Sequence, residues 1–352
     1  MTPELMGGRP AVQRVLGVYE GRRPGRTVIA LGGMHGDEPA SVRAVQAVLA
    51  ELRRRELELA GTVVGVVGNR QAFAAERRYV ARDLNRGWTS QSCRRVLHPR
   101  DGESAEDVEQ RELLELFGPL EGQSPHPLVF LDLHSTSGPA APFCIIPDVA
   151  RNRDLAIPLP IPTLLGLEEI LDNPMLGYLT DRGHMGVAVE GGQHDDPETQ
   201  ARLEAVIWLS LLTMRCLRPE QVPRRRDYQA ALRRACTGLP HAVRIVHRHG
   251  LGHDEGFVME PGFENFHRVR RGQRLARDAH GPIEATFDGL VMLPRYQSQG
   301  DDGFFLATTV TRRWLALSAA ARRGRMEHLL ALWPGLRRDA GNPNRLRYAG
   351  TE

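Results

Sequence analysis

The sequence predicts an α/β fold: a mostly parallel or mixed sheet with helices on both faces, followed by a smaller C-terminal β-domain. Three observations point there. Short apolar, β-branched runs recur at "RTVIAL", "TVVGVVGN", "LVFLDLHS" and "GVAVEGG", as in a sheet covered on both sides. Helical segments alternate with them, some carrying apolar residues near a 3.6-residue period. From His241 onward the apolar runs shorten and glycines become frequent.

The elements follow in order. The strand over 26–31 leads into "GGMHGDE", where Gly32, Gly33 and Gly36 predict a tight turn passing close to another part of the chain. "EPASVRAVQAVLAELRRRELELA" then reads as a helix, with Val42, Val45, Val48, Leu49 and Leu52 near one face. His35 and Glu38 therefore fall in a strand-to-helix turn, where open α/β sheets bind ligands. "TVVGVVGN" (62–69) is the next strand, and "RYVARDLNRGW" (78–88) is a loop after it. "SAEDVEQRELLELF" reads as a helix capped by Ser104 and led by acids. "LVFLDLHS" (128–135) and "GVAVEGG" (186–192) are strands, "PLPIPT" (158–163) is loop punctuation framing a pocket, and a helix starts just after Pro197.

Past "RPEQVPRRRDYQAALRRACTG" the segments "AVRIVHR", "GFVMEPG", "ENFHRV", "QRLARD", "IEATFDGLVMLP" and "GFFLATTV" form the expected β-domain, and "RRGRMEHLLALWPGL" returns to helix. The expected units are an α/β domain carrying the site over 1–235, a β-rich domain capping it over 236–315, and a helix and tail over 316–352.

Composition removes several chemistries. All 46 basic residues are arginine, so a Schiff-base, P-loop or kinase-type lysine is excluded. The net charge is only +3 and the arginine runs are interspersed with acids, which argues against nucleic-acid binding. No apolar run approaches bilayer length and the amino end has no apolar signal core, so a cytoplasmic protein with no membrane partner is expected. Cys93, Cys144, Cys216 and Cys236 are scattered without a CxxC, which excludes a thiolate zinc knot and a dense disulfide framework.

Two imidazoles and a carboxylate suit a catalytic zinc, which keeps three protein ligands and one open position. His35, Glu38 and His134 supply that set, a short spacer followed by a long one. Asp132, two residues before His134, points to the same face of its strand and can orient a ligand histidine or an arginine from behind.

Taken together, "GGMHGDE", "RDLNR", "DLHST" and "VAVEGG" resemble, in order and context, the succinylglutamate desuccinylase and aspartoacylase family, a branch related to the zinc carboxypeptidases. "EPGFENFHRVRRGQRLARD" is similar to that family's C-terminal β-domain, so the resemblance runs from about residue 25 to 310. It implies a zinc carboxypeptidase-like fold, one Zn2+ per chain on His35, Glu38 and His134, and Glu190 as general base. It also implies Arg78 as the oxyanion-stabilising arginine, and Asn85 with Arg86 as the pair holding a substrate carboxylate. The implied partner is a small-molecule N-acyl amino acid, and the family permits homodimers. Arg182, upstream of Glu190, and Tyr296, in "MLPRYQSQG", are further substrate-contact candidates whose alignment spacing does not fix.

Each residue also has a plainer reading. His35 and Glu38 alone describe a surface turn with an acid at a helix start, and His134 alone a hydrogen-bonded core histidine. Asp83 reads as a carboxylate supporting the site from behind and in part as a turn residue. "HRHGLGH" clusters His247, His249 and His253 but lacks a carboxylate pattern and reads as solvated, and "GRRPGR" reads as a connector. The leading function is a zinc-dependent amidohydrolase; a carboxypeptidase-like peptidase and a non-catalytic binding protein on the same fold are the alternatives.

Overall fold

The computed structural model describes residues 12–252 and 256–311, together with the backbone of 336–338 and 346–348. In chain order its strands are β1 (Val15–Glu20), β2 (Arg23–Gly32), β3 (Ala60–Val67), β4 (Val129–Thr136), β5 (Phe143–Ile146), β6 (Thr163–Leu165), β7 (Met185–Gln193), β8 (Ala242–Gly250), β9 (Val258–Met259), β10 (His267–Val269), β11 (Arg274–Asp278), β12 (Gly281–Glu284), β13 (Gly289–Met292), β14 (Asp302–Thr309), β15 (Leu336–Arg338) and β16 (Leu346–Tyr348). The helices are α1 (Pro39–Arg55), α2 (Arg70–Ala74), α3 (Ser90–Val96), α4 (Ala105–Gln123), α5 (Ala150–Ala156), α6 (Met175–Asp181), α7 (Glu198–Thr213) and α8 (Arg225–Ala235).

Eleven strands form one sheet in the order β1-β3-β2-β4-β7-β5-β6-β8-β14-β13-β10. The centre is parallel through β3, β2, β4 and β7, and again through β5, β6 and β8. The edge strand β1 and the run β8, β14, β13 and β10 pair antiparallel. Along β2 the residues alternate between two cores, Val28 and Ala30 in one, Ile29 and Leu31 in the other. The first core packs α1 and α7 through Val45, Val48, Leu49 and Trp208; the second packs α4 and α6 through Leu113, Phe117, Met175 and Leu179. Each such side chain contributes about 1.5–3 kcal/mol by leaving water, and this two-sided burial is why the central strands read as continuous apolar runs.

Element boundaries differ from the sequence reading at a few places, each with a local cause. The first helix stops at Arg55 rather than near residue 60, because Glu56 adopts the left-handed conformation (φ 48°) and turns the chain into β3. "GRRPGR" is no mere connector, since β2 begins inside it at Arg23. "PLPIPT" ends in β6, whose Thr163 pairs with Cys144 and with Ala242 on either side. α4 has the Ser104–Asp107 capping box and runs past Pro119 to Gln123.

The late strands divide in two. β8, β14, β13 and β10 extend the main sheet, while β9, β11 and β12 make a separate three-stranded sheet. The single large sheet thus passes through the expected boundary at residue 235 without interruption. The helix expected over 322–336 lies outside the described residues except for Leu336, which begins β15 and pairs with β16. Among the described residues no helix is long and apolar enough to cross a membrane.

Candidate active site and metal centre

The site lies at the carboxyl ends of β2, β4 and β7. After β2 the chain turns through Gly33, whose φ of +64° disfavours any residue with a Cβ. Gly36 then passes so close to α2 that a Cβ would meet the Ala72 carbonyl oxygen at 2.0 Å. Ser41 locks the turn: its hydroxyl accepts from the Gly33 N–H at 2.9 Å and donates to the Glu38 carbonyl at 2.7 Å. Glu38 is the N-cap residue of α1, with Pro39 opening the helix. This turn faces His134, near the end of the wholly buried β4.

His35, Glu38 and His134 converge. His35 Nδ1 lies 2.8 Å from Glu38 Oε1, and His134 Nδ1 lies 3.0 Å from Glu38 Oε2. Among the described residues they are the one group of three or more His, Cys, Asp or Glu donors close enough to share an ion, with donor atoms within 4.8 Å of one another. Both rings turn Nδ1 toward Glu38 and Nε2 toward a second carboxylate: His35 Nε2 is 3.2 Å from Asp83 Oδ1, and His134 Nε2 is 3.1 Å from Asp132 Oδ2. The latter is an ion-pair approach poorly aligned for a hydrogen bond, and both Asp132 oxygens are buried without a hydrogen-bond partner. A carboxylate behind each imidazole is the arrangement that fixes ring orientation at metal sites.

The electrostatics favour a cation. Burial opposes charge on His134, yet Asp132 and Glu38 outweigh it and raise its pKa well above the ordinary value. Glu38 is fully buried too, and the two imidazoles hold its carboxyl well below the ordinary range. Two imidazoles, an ionised carboxylate and buried, unpartnered oxygens behind them fit a divalent ion of the zinc type.

Glu190 stands beside His134. The two are register partners on the parallel strands β4 and β7, so their side chains leave the sheet on one face. Glu190 is buried, its Oε2 has no hydrogen-bond partner, and burial pushes its pKa up. Arg78 reaches the same cavity, with Nη2 3.1 Å from Asp83 Oδ2 and Nη1 3.9 Å from Glu38 Oε1. Asp83 thereby touches both His35 and Arg78. Asn85 and Arg86 also line the cavity. Asn85 Oδ1 accepts the Met175 N–H at 3.0 Å, and Arg86 Nη2 is 3.1 Å from Asp302 Oδ2 at the start of β14.

Two expected contacts are not brought to the cavity. Arg182 caps the end of α6, is exposed, and pairs with Glu121 at 2.7 Å. Five residue steps from Met185 to Glu190 carry β7 about 17 Å, so Arg182 lies toward the opposite end of that strand. Tyr296 is 40% exposed, and its ring lies against Gly138. Its hydroxyl is occupied by the backbone of Phe263 and Glu260, while its neighbours Arg295 and Gln297 line the cavity instead. Among the described residues His247 and His249 belong to no three-donor group; His249 stacks on Phe304 at 5.0 Å, and His253 lies outside the described residues.

Sequence reasoning missed three groups. Glu106, buried in α4, accepts the N–H groups of Val80 (2.8 Å), Ala81 (3.0 Å) and Arg82 (3.2 Å), and so holds the loop that presents Arg78 and Asp83. Asp302 holds Arg86, and Glu168 lines the cavity wall. The acid-led start of α4 was the one available signal, and it marked a helix end rather than an anchor.

Known proteins place this chain in one family. Residues 24–166 match the family model of the succinylglutamate desuccinylase/aspartoacylase catalytic domain. A probable aspartoacylase of Parasynechococcus marenigrum (strain WH8102) is 33% identical over 230 residues, covering 63% of this chain and 67% of that protein. A probable aspartoacylase of Prochlorococcus marinus is 30% identical over 287 residues, covering 75% of this chain and 84% of that one. The crystal structure of succinylglutamate desuccinylase from Vibrio cholerae shares the fold with a TM-score of 0.62 at 18% identity, over 82% of this chain and 83% of the other. The chain belongs to the succinylglutamate desuccinylase/aspartoacylase family.

Proposed function

We propose that this protein is a zinc-dependent hydrolase that cleaves the amide bond of an N-acyl amino acid. The observation that carries this reading is the meeting of His35, Glu38 and His134, with Glu190 next to His134, in one cavity. Zinc held by the three ligands supplies Lewis acidity and makes water acidic near neutral pH.

The chain's own residues supply the rest. Glu190, raised in pKa and without a partner at Oε2, takes the proton of the attacking water and returns it to the leaving amine. Arg78, kept ionised and aimed by Asp83, faces the oxygen on which negative charge develops. Arg86, whose planar fork suits a carboxylate, and the Asn85 amide nitrogen hold the substrate carboxylate. Asp83 and Asp132 keep the imidazoles turned toward the ion. Loop residues Leu293, Pro294 and Asp301 wall one side of the cavity, which favours a small molecule over a long peptide. Four unpaired cysteines agree with a reducing compartment such as the cytoplasm.

The test is turnover of a panel of N-acyl amino acids by the zinc-loaded protein, before and after chelation. Hydrolysis that chelation abolishes and zinc restores is expected. Turnover unaffected by complete metal removal overturns the reading.

A further inference from the structure

We propose that His194 is a positioning residue for the metal centre, acting through Ser135. The proposal rests on the function above and adds to it the group that holds the ends of β4 and β7 in place.

The two strands lose their even register where the site is built. His134 pairs with Glu190 and Thr136 with Gln193, so β7 carries one residue more than β4 between those pairs. A bulge of this kind re-aims the side chains beside it. Ser135 lies opposite the extra residue and makes contacts in two directions. Its backbone N–H donates to Glu38 Oε2 at 3.0 Å, the same oxygen that His134 Nδ1 approaches at 3.0 Å. Its hydroxyl lies 2.7 Å from Nδ1 of His194, the residue just past the end of β7. The His194 N–H donates to the Thr136 carbonyl at 2.9 Å, so backbone and ring together grip the end of β4.

The ring has no second hydrogen bond. His194 Nε2 is buried without a partner, and Ser135 is itself buried. An apolar side chain would occupy this place without stranding a polar atom, so the imidazole carries a cost that its bond to Ser135 offsets. Contacts run from His194 to Ser135 and from Ser135 to Glu38, so a change at the ring is transmitted to a metal ligand. Groups that orient ligands from behind are worth about 10- to 100-fold in metal affinity or activity.

The experiment measures zinc affinity by chelator competition, and kcat and KM on N-acyl amino acids, in the wild type, His194→Ala, His194→Asn, His194→Gln, Ser135→Ala and the double alanine variant. An asparagine amide atom sits one bond from Cγ, as Nδ1 does, whereas the glutamine amide lies one bond farther out. His194→Ala should weaken zinc binding about ten-fold and lower kcat by a similar factor, with KM within about three-fold of the wild type. His194→Asn should recover most of both losses and His194→Gln should not. Ser135→Ala should reproduce the deficit, and the double variant should be no worse than either single one, as for two residues acting through one contact. If His194→Ala does not fold, Ser135→Ala and the asparagine and glutamine pair carry the same comparison. Unchanged zinc affinity in the alanine variants, equal deficits with asparagine and glutamine, or losses that add in the double variant overturn the proposal. If the wild type hydrolyses nothing, a loss of zinc affinity that asparagine repairs upholds the role of His194 while the amidohydrolase reading fails.

Discussion

Arg86 Nη2 lies 3.1 Å from Asp302 Oδ2, across 216 residues of sequence. Asp302 also receives Arg248 Nε at 2.6 Å, so one carboxylate at the start of β14 steadies two guanidinium groups. The loop that carries Arg86 is thereby tied to the late strands, and the direction of its fork is set before a ligand arrives.

Replacing Arg86 with alanine should raise KM for N-acyl amino acids about 10- to 100-fold, the loss of one charge-assisted pair, with a smaller change in kcat. Substrates whose carboxylate is capped as an amide should be nearly indifferent. Steady-state kinetics on matched acid and amide pairs measures this, and equal losses on both would remove Arg86 from carboxylate recognition.

Metal analysis should find about one zinc per chain in the native protein. His134→Ala, which deletes one of three ligands, should reduce that content by at least ten-fold. Glu190→Gln should keep the metal and lose about 10²- to 10⁴-fold in kcat, the usual range for a positioned base. Full metal retention by His134→Ala would contradict the ligand assignment.

Glu106→Ala should destabilise the fold by about 2–4 kcal/mol, since three backbone N–H groups of the 80–82 segment lose their acceptor together. Urea unfolding gives the value, and limited proteolysis should show earlier cleavage near residues 78–86. A change within about 0.5 kcal/mol would mean that the loop is held by other contacts.

The metal-free protein should show a pH-dependent stability component from Glu168. Its folded pKa is raised from the ordinary 4.5 to about 7, so across that window the folded state retains a proton that the unfolded state has released. Stability from this group is therefore fully present below about 4.5, declines as pH rises to about 7, and is level above; the total change is at most about 3 kcal/mol. Histidines titrate in both wild type and Glu168→Gln, so the difference between their unfolding curves at pH 5 and 7.5 isolates the effect. A constant difference would show that Glu168 is not perturbed by its surroundings.

The parts of the site legible in the sequence are those whose position follows from local geometry. His35 and Glu38 were readable because glycines punctuate a strand-to-helix turn, and His134 and Glu190 because each lies near the carboxyl end of an apolar run. Their adjacency across β4 and β7 needs only that those strands be neighbours. Arg182 and Tyr296 fail for complementary reasons: one lies toward the far end of β7, and the other spends its hydroxyl on backbone groups. Glu168 and Asp302 left no usable signal, and Glu106 only that of a helix start, because an acid in sequence looks the same whether its partner is water, a distant amide or a distant guanidinium. The strand inside "GRRPGR" was not legible because its pairing with β3, Arg23 opposite Ala60, overrides the local punctuation.

The ladder joining β6 to β8, and β8 to β14, bears on how molecules enter and leave. Leu293, Pro294, Arg295, Gln297 and Asp301 lie in the loop that joins β13 to β14, so the rim they form is anchored at both ends in the sheet that holds the ligand-bearing strands. Both ends of that rim are thus set by the same hydrogen-bonded sheet that carries His134 and Glu190, so the width of the cavity mouth and the spacing of the groups within it are fixed by one framework.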